Sequence, residues 1–187
     1  MPKKVRRDTV FIGIDPGKSG GLVAIRPGNR QSSVVACPMP ETLLDIWTWI
    51  ADFKEEAHYW TATAVIEKVR SSPQMGVTSS FTFGRGFGNL EAFLVAAGIS
   101  FQEVSPQTWQ KALGIPVRKK GPTLIPRKTN WLESQTQFKR RLCGIAQQMF
   151  PGLPLWGEPK SKGKQLAITD ALLIAEFCRR RETGSKT

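Results

Sequence analysis

Thr9-Val10-Phe11-Ile12-Gly13-Ile14-Asp15-Pro16-Gly17 is the stretch on which the fold turns. β-Branched and aromatic residues run up to Ile14, which reads as a buried strand. Asp-Pro-Gly then closes it in a tight turn and aims the Asp15 carboxylate out of the sheet edge. Outward from this strand, Gly21 to Arg26 reads as a second strand and Ser33 to Cys37 as a third, with Pro27-Gly28-Asn29 as a hairpin turn between them. Three consecutive strands joined by short turns make an antiparallel meander.

The pattern then changes period. From Glu41 to Ala57, Leu43, Leu44, Ile46, Trp47, Ile50 and Phe53 recur at helical spacing. Thr63 to Glu67 is a short apolar strand that ends in a carboxylate, and Val69 to Val77 is a loop. Ser79 to Ala97 reads as a helix despite its glycines, and Ser100 to Val104 as a fifth strand. Short helical segments follow from Gln107 to Leu113 and from Ser134 to Phe150, the latter stopped by Pro151-Gly152. Gly157 to Lys164 reads as a basic loop, and Ile168 to Arg181 as the last helix. A meander followed by strand–helix–strand units predicts an α/β fold with a central five-stranded mixed sheet flanked by helices. At 187 residues, with no repeat or linker, one domain is expected, with 1–8 and 183–187 as flexible tails.

Charge narrows the function. The formal net charge is +12, which favours a polyanionic partner. Between Pro116 and Arg141 stand Arg118, Lys119, Lys120, Arg127, Lys128, Lys139, Arg140 and Arg141, opposed only by Glu133. The part of this run from Gly114 to Trp131 is rich in proline and glycine and reads as a long loop. Its length marks it as functional or disordered. No apolar run is long enough to span a bilayer, and the basic start lacks the apolar core of a signal peptide, so a cytoplasmic protein is expected. Cys37, Cys143 and Cys178 are scattered and His58 is the single histidine, which argues against a zinc site and a disulfide scaffold. Phe83-Gly84-Arg85-Gly86-Phe87-Gly88 lacks the flanking strand and Lys-Ser/Thr of a nucleotide loop. Gly84 and Gly88 share one helix face, where they would let the helix press on the sheet or let a DNA backbone approach.

Three carboxylates are candidates for chemistry. Asp15 and Glu67 end strands that would lie side by side, and Asp170 is expected in the first turn of the last helix, where the helix dipole favours a negative charge. Gathered at one sheet edge they would repel one another, and a hard divalent cation would relieve this. Singly, each also suits an ordinary structural role, as turn, surface and helix-start residues.

These residues resemble a known family. Gly13-Ile14-Asp15-Pro16-Gly17 with Ser19-Gly20-Gly21 is similar to the first motif of RuvC-type Holliday junction resolvases. Val65-Ile66-Glu67-Lys68, followed by Ser79-Ser80-Phe81-Thr82-Phe83-Gly84-Arg85 and Gly88, resembles the second motif of their phage relatives. Val104-Ser105-Pro106-Gln107-Thr108-Trp109-Gln110-Lys111 resembles the next strand and helix, and Thr169-Asp170-Ala171-Leu172-Leu173-Ile174-Ala175 the final acidic motif. The resemblance implies an RNase H-like fold and a homodimer that cuts four-way junctions and other branched DNA with Mg²⁺, or Mn²⁺ in its place. Asp15, Glu67 and Asp170 then take the catalytic, metal-ligand positions. Lys68, Arg70, Arg85, Lys111, Arg118, Lys119, Lys120, Arg127 and Lys128 are expected to contact DNA, and Met75 to wedge between bases at the junction centre. One departure stands out. The family usually carries another acid three or four positions before the last aspartate, where this chain has Ala167 and Leu166. A weakened second metal site, a ligand from elsewhere such as Glu158 or Glu176, and junction binding without efficient cutting all remain open.

Overall fold

A computed structural model describes residues 9–26, 33–55, 61–69, 76–116, 118, 133–153 and 162–185, with side chains for all but 55 and 162–167. Among the described residues the strands are β1 (Thr9–Asp15), β2 (Gly21–Ile25), β3 (Val34–Pro38), β4 (Thr61–Glu67) and β5 (Ser100–Val104). The helices are α1 (Leu43–Glu55), α2 (Val77–Ala96), α3 (Pro106–Ala112), α4 (Gln135–Met149) and α5 (Lys162–Thr183). The strands form one sheet in the order β3-β2-β1-β4-β5. β1–β2 and β2–β3 pair antiparallel, whereas β1–β4 and β4–β5 pair parallel. The sheet is therefore mixed, as the meander followed by crossovers requires.

The period of two along β1 sorts its side chains onto two faces. Val10, Ile12 and Ile14 join a core with Ile46, Ile50, Phe53, Leu90 and Leu94 of α1 and α2. Phe11 joins the opposite core with Trp109, Leu142, Ala146 and the run from Ile168 to Cys178. Both faces are covered, so the central strands read as continuous apolar runs. Local signals start the smaller helices. Ser105 accepts from the Thr108 amide ahead of Pro106, and Ser134 and Gln137 close a reciprocal capping box on α4.

Two expectations are corrected here. α5 begins at Lys162, six residues before Ile168 and within the expected basic loop, so Asp170 lies in mid-helix instead of the first turn. The helix-dipole argument for its charge therefore lapses, because that effect is confined to the end turns. Gly84 and Gly88 do not seat α2 on the sheet. A methyl group added at either would meet nothing within 4 Å. Other element ends agree within about two residues, the scatter ordinary for helix and strand termini. The hairpin Pro27-Gly28-Asn29 and residues 1–8 lie outside the described residues.

Candidate active site

The parity that builds the two cores also places the acids. Asp15 shares the side of β1 that carries Phe11 and Gly13, and Glu67 the side of β4 that carries Val65. The β1–β4 register runs from Thr9 opposite Thr61 to Ile14 opposite Ile66, so Asp15 and Glu67 follow at adjacent strand ends. Both belong to the face that α5 covers. Helix α5 crosses β1 at Gly13, where a Cβ would stand 2.2 Å from the Ala171 carbonyl oxygen and the Ala175 nitrogen. Only glycine permits so close a seat. That seat brings Asp170, the residue before Ala171, over the end of β1. Gly20 tightens the loop beyond Asp15 in the same way, since a Cβ there would lie 2.0 Å from the Asp15 carbonyl oxygen.

The three carboxylates feel one another. Burial first, then the charges of Asp170 and Glu67, push the Asp15 carboxyl up to about 8, with Lys139 opposing. Burial likewise raises Glu67, against a hydrogen bond from Trp109. That bond runs from Trp109 Nε1 to Glu67 Oε2 at 2.8 Å. Trp109 is fully buried, so its indole N–H requires an acceptor, and Glu67 supplies one. Asp170 is 5 % exposed. Its Oδ2 accepts from Lys139 Nζ on α4, while its buried Oδ1 has no hydrogen-bond partner among the described residues. Burial works to lower the Lys139 ammonium, but the charges of Asp170, Asp15 and Glu67 outweigh it and hold it above its ordinary value.

In this arrangement no group of three His, Cys, Asp or Glu side chains among the described residues is set closely enough to hold a metal ion. The chemistry of the donors nevertheless suits a hard divalent cation: all are carboxylate oxygens, they are mutually repulsive, and one buried oxygen is unpartnered. The positive charge present is the Lys139 ammonium. Glu176 is no substitute ligand, because it is buried in ion pairs with Arg179 and Arg180. Glu158 lies outside the described residues.

The expected DNA contacts divide into groups. Lys68 pairs with Glu103 at 3.4 Å on the surface, and Arg85 and Lys111 are exposed on α2 and α3. Arg118 is held at the start of α4, its Nε donating to the Glu133 carbonyl at 2.6 Å. Arg141 joins it there through a two-point pair with the Glu133 carboxylate. Arg70, Met75, Lys119, Lys120, Arg127 and Lys128 lie outside the described residues. Two residues the motifs did not single out stand at the acids. Trp109 carried a signal, since a buried tryptophan just after β5 needs a polar partner. Lys139 carried none, being one of many cations in a basic run. The free thiols Cys37 and Cys178 are pushed up by burial to about 11 and about 12, which leaves them unreactive.

Strand order, mixed pairing and flanking helices define an α/β fold with the RNase H-like arrangement. Its fold is shared by Thermus thermophilus RuvC in complex with Holliday junction substrate (17 % identity, 93 % of this chain and 97 % of that one, TM-score 0.51). It is also shared by the yeast mitochondrial Holliday junction resolvase Ydc2 (15 % identity, 91 % and 78 % covered, TM-score 0.50). No protein-family model matches the sequence, and no curated protein is significantly similar to it.

Proposed function

We propose that this chain is a divalent-metal-dependent endonuclease that hydrolyses phosphodiester bonds in four-way junctions and other branched DNA. The observation that carries the reading is the convergence of Asp15, Glu67 and Asp170 at the α5-covered edge of an RNase H-like sheet, in a chain of net charge +12. The two fold relatives, a resolvase and a RuvC bound to junction DNA, favour a branched substrate. The three acids would hold Mg²⁺, or Mn²⁺ in its place. When bound, the ion supplies Lewis acidity to phosphate and water. The chain's own groups do the rest. Asp15 and Glu67, at neighbouring strand ends, would hold the ion that offsets the repulsion between carboxylate and phosphate; Trp109 fixes the rotamer of Glu67; Lys139 supplies positive charge where negative charge develops. Water adds to phosphorus, the bond to the leaving oxygen breaks, and that oxygen takes up a proton. Exposed Lys68, Arg85 and Lys111, with Arg118 and with Arg70, Lys119, Lys120, Arg127 and Lys128, hold the DNA arms through phosphates, and Met75 wedges at the branch point. Such contacts position DNA without reading its sequence.

Two copies act together in this reading. Val77, Phe81 and Val95 are 87 %, 70 % and 69 % exposed on α2 and fall in one line with Gly84 and Gly88. Spacings of three and four along this line make a helix–helix seam, and the bare glycines let a second copy's α2 approach closely. The enzyme is expected to work in the cytoplasm of the cell that makes it, the host cell if the gene is a phage's.

Cleavage of a synthetic four-way junction, a linear duplex, an RNA–DNA hybrid and a single strand, with and without Mg²⁺ or Mn²⁺, tests the proposal. The junction is expected to be cut only with metal, and Asp15→Asn and Glu67→Gln to lose at least about a hundredfold of the rate. Undiminished cutting by either variant would sink the mechanism. The rival reading is a junction-binding protein that does not cut. It draws support from Leu166 and Ala167, which stand where the family usually carries a further acid. Tight junction binding without nicking at any metal concentration would establish it.

A further inference from the structure

The site has an acid too few and a cation too many. Neither Leu166 nor Ala167, one turn before Asp170 in α5, has a ligating atom. Instead Lys139 reaches Asp170 from α4, with its side chain 35 % exposed and that of Asp170 7 % exposed. Its neighbours on α4 are committed elsewhere or face outward. Arg141 is bound to Glu133 and the Pro116 carbonyl, and Arg140 is exposed. Among the described residues, no other cation makes an ion pair with Asp15, Glu67 or Asp170.

We propose that the Lys139 ammonium takes the place of a second metal ion, so that this chain binds one divalent cation per active site where a four-acid site would hold two. The inference rests on the nuclease reading above and deepens it. Two metal ions in such a site contribute positive charge on both sides of the scissile phosphate. A lysine is a compact point charge with three rotatable donors, able to neutralise Asp170 and to reach a phosphate oxygen in the same stroke. It needs no fourth carboxylate to hold it, because its own stem does. The loss of an acid at 166 or 167 and the presence of an ammonium on Asp170 then become one design. Oδ1 of Asp170, buried and without a hydrogen bond among the described residues, would be the oxygen left to hold the single metal ion.

The test is metal stoichiometry, read by Mn²⁺ titration calorimetry and by the loss of free-Mn²⁺ electron paramagnetic resonance signal, alongside junction binding and cleavage. Wild type is expected to take up one Mn²⁺ per chain. Lys139→Met, which keeps the length of the stem, should bind Mn²⁺ about tenfold more tightly because a competing positive charge is gone. It should lose roughly a hundredfold of its cleavage rate at saturating junction DNA. Lys139→Arg should restore the weaker Mn²⁺ affinity, a recovery that a merely space-filling role would not produce. Two Mn²⁺ ions per wild-type chain, or unchanged Mn²⁺ affinity in Lys139→Met, would overturn the inference. Stoichiometry is measured whether or not DNA is cut. A wild-type protein that binds one Mn²⁺ but never cleaves would therefore refute the nuclease reading and leave only the one-ion stoichiometry standing.

Discussion

At the scale of single residues, the acids make the metal-free protein sensitive to pH. The Asp15 carboxyl stands at about 8 in the folded chain against an ordinary 3.8, so between those values the native state holds a proton that the unfolded chain has released. Stability from this group is complete below about pH 4 and is lost as pH rises through about 8. Asp15→Asn should therefore melt about 5 °C above wild type at pH 9 in chelator, with the difference vanishing near pH 4. Equal melting temperatures at both pH values would contradict the burial and repulsion assigned to Asp15. Trp109→Phe removes the 2.8 Å bond to Glu67 and should cost about 2 kcal/mol in urea unfolding. It should also weaken Mn²⁺ binding, and the more so the lower the pH, because Glu67 then holds its proton more firmly. A variant with unaltered pH dependence would show that Trp109 serves packing alone. Asp15 and Glu67 stood out as candidates in the sequence because each ends a recognisable strand, and Asp170 because of the motif around it, although its expected place in a first helical turn was wrong. Of the groups that set their charge, Trp109 left only the hint of a buried indole needing an acceptor, and Lys139 left none, because it comes from a helix whose placement the local sequence leaves open.

At the scale of elements, the decisive contact is α5 on β1. Gly13 has no room for a side chain beneath Ala171 and Ala175, so Gly13→Ala must lift the helix. The expected cost is about 3 kcal/mol in urea unfolding, the range of overpacking. Because Asp170 rides on the same helix, Mn²⁺ affinity should fall in the folded variant as well. Wild-type affinity would mean that the helix seat does not set the site. β1 was readable as a buried strand because Thr9 to Ile14 holds only apolar and β-branched residues and one glycine. The true start of α5 was not. Gly163 and the basic residues around it suggest a loop, yet the helix runs back to Lys162 because packing of Ile168 to Cys178 against the sheet outweighs weak local propensity.

At the scale of the whole molecule, the exposed α2 seam predicts a two-fold dimer. Phe81→Lys places charge in the seam without touching the core, so sedimentation should show a folded monomer where wild type sediments as a dimer. A wild-type monomer at micromolar concentration would remove this assembly from the proposal. The sequence by itself determined the mixed five-stranded sheet, the net charge of +12 and the three acids that are candidates for chemistry, since hydrophobic period, charge and turn chemistry are local properties. Tertiary structure decided what the acids meet. Strand parity turned Asp15 and Glu67 toward the same helix, the empty side of Gly13 let that helix descend, and α4 delivered a lysine to Asp170. Those outcomes depend on how separate surfaces fit together in three dimensions, and no window along the chain records that fit.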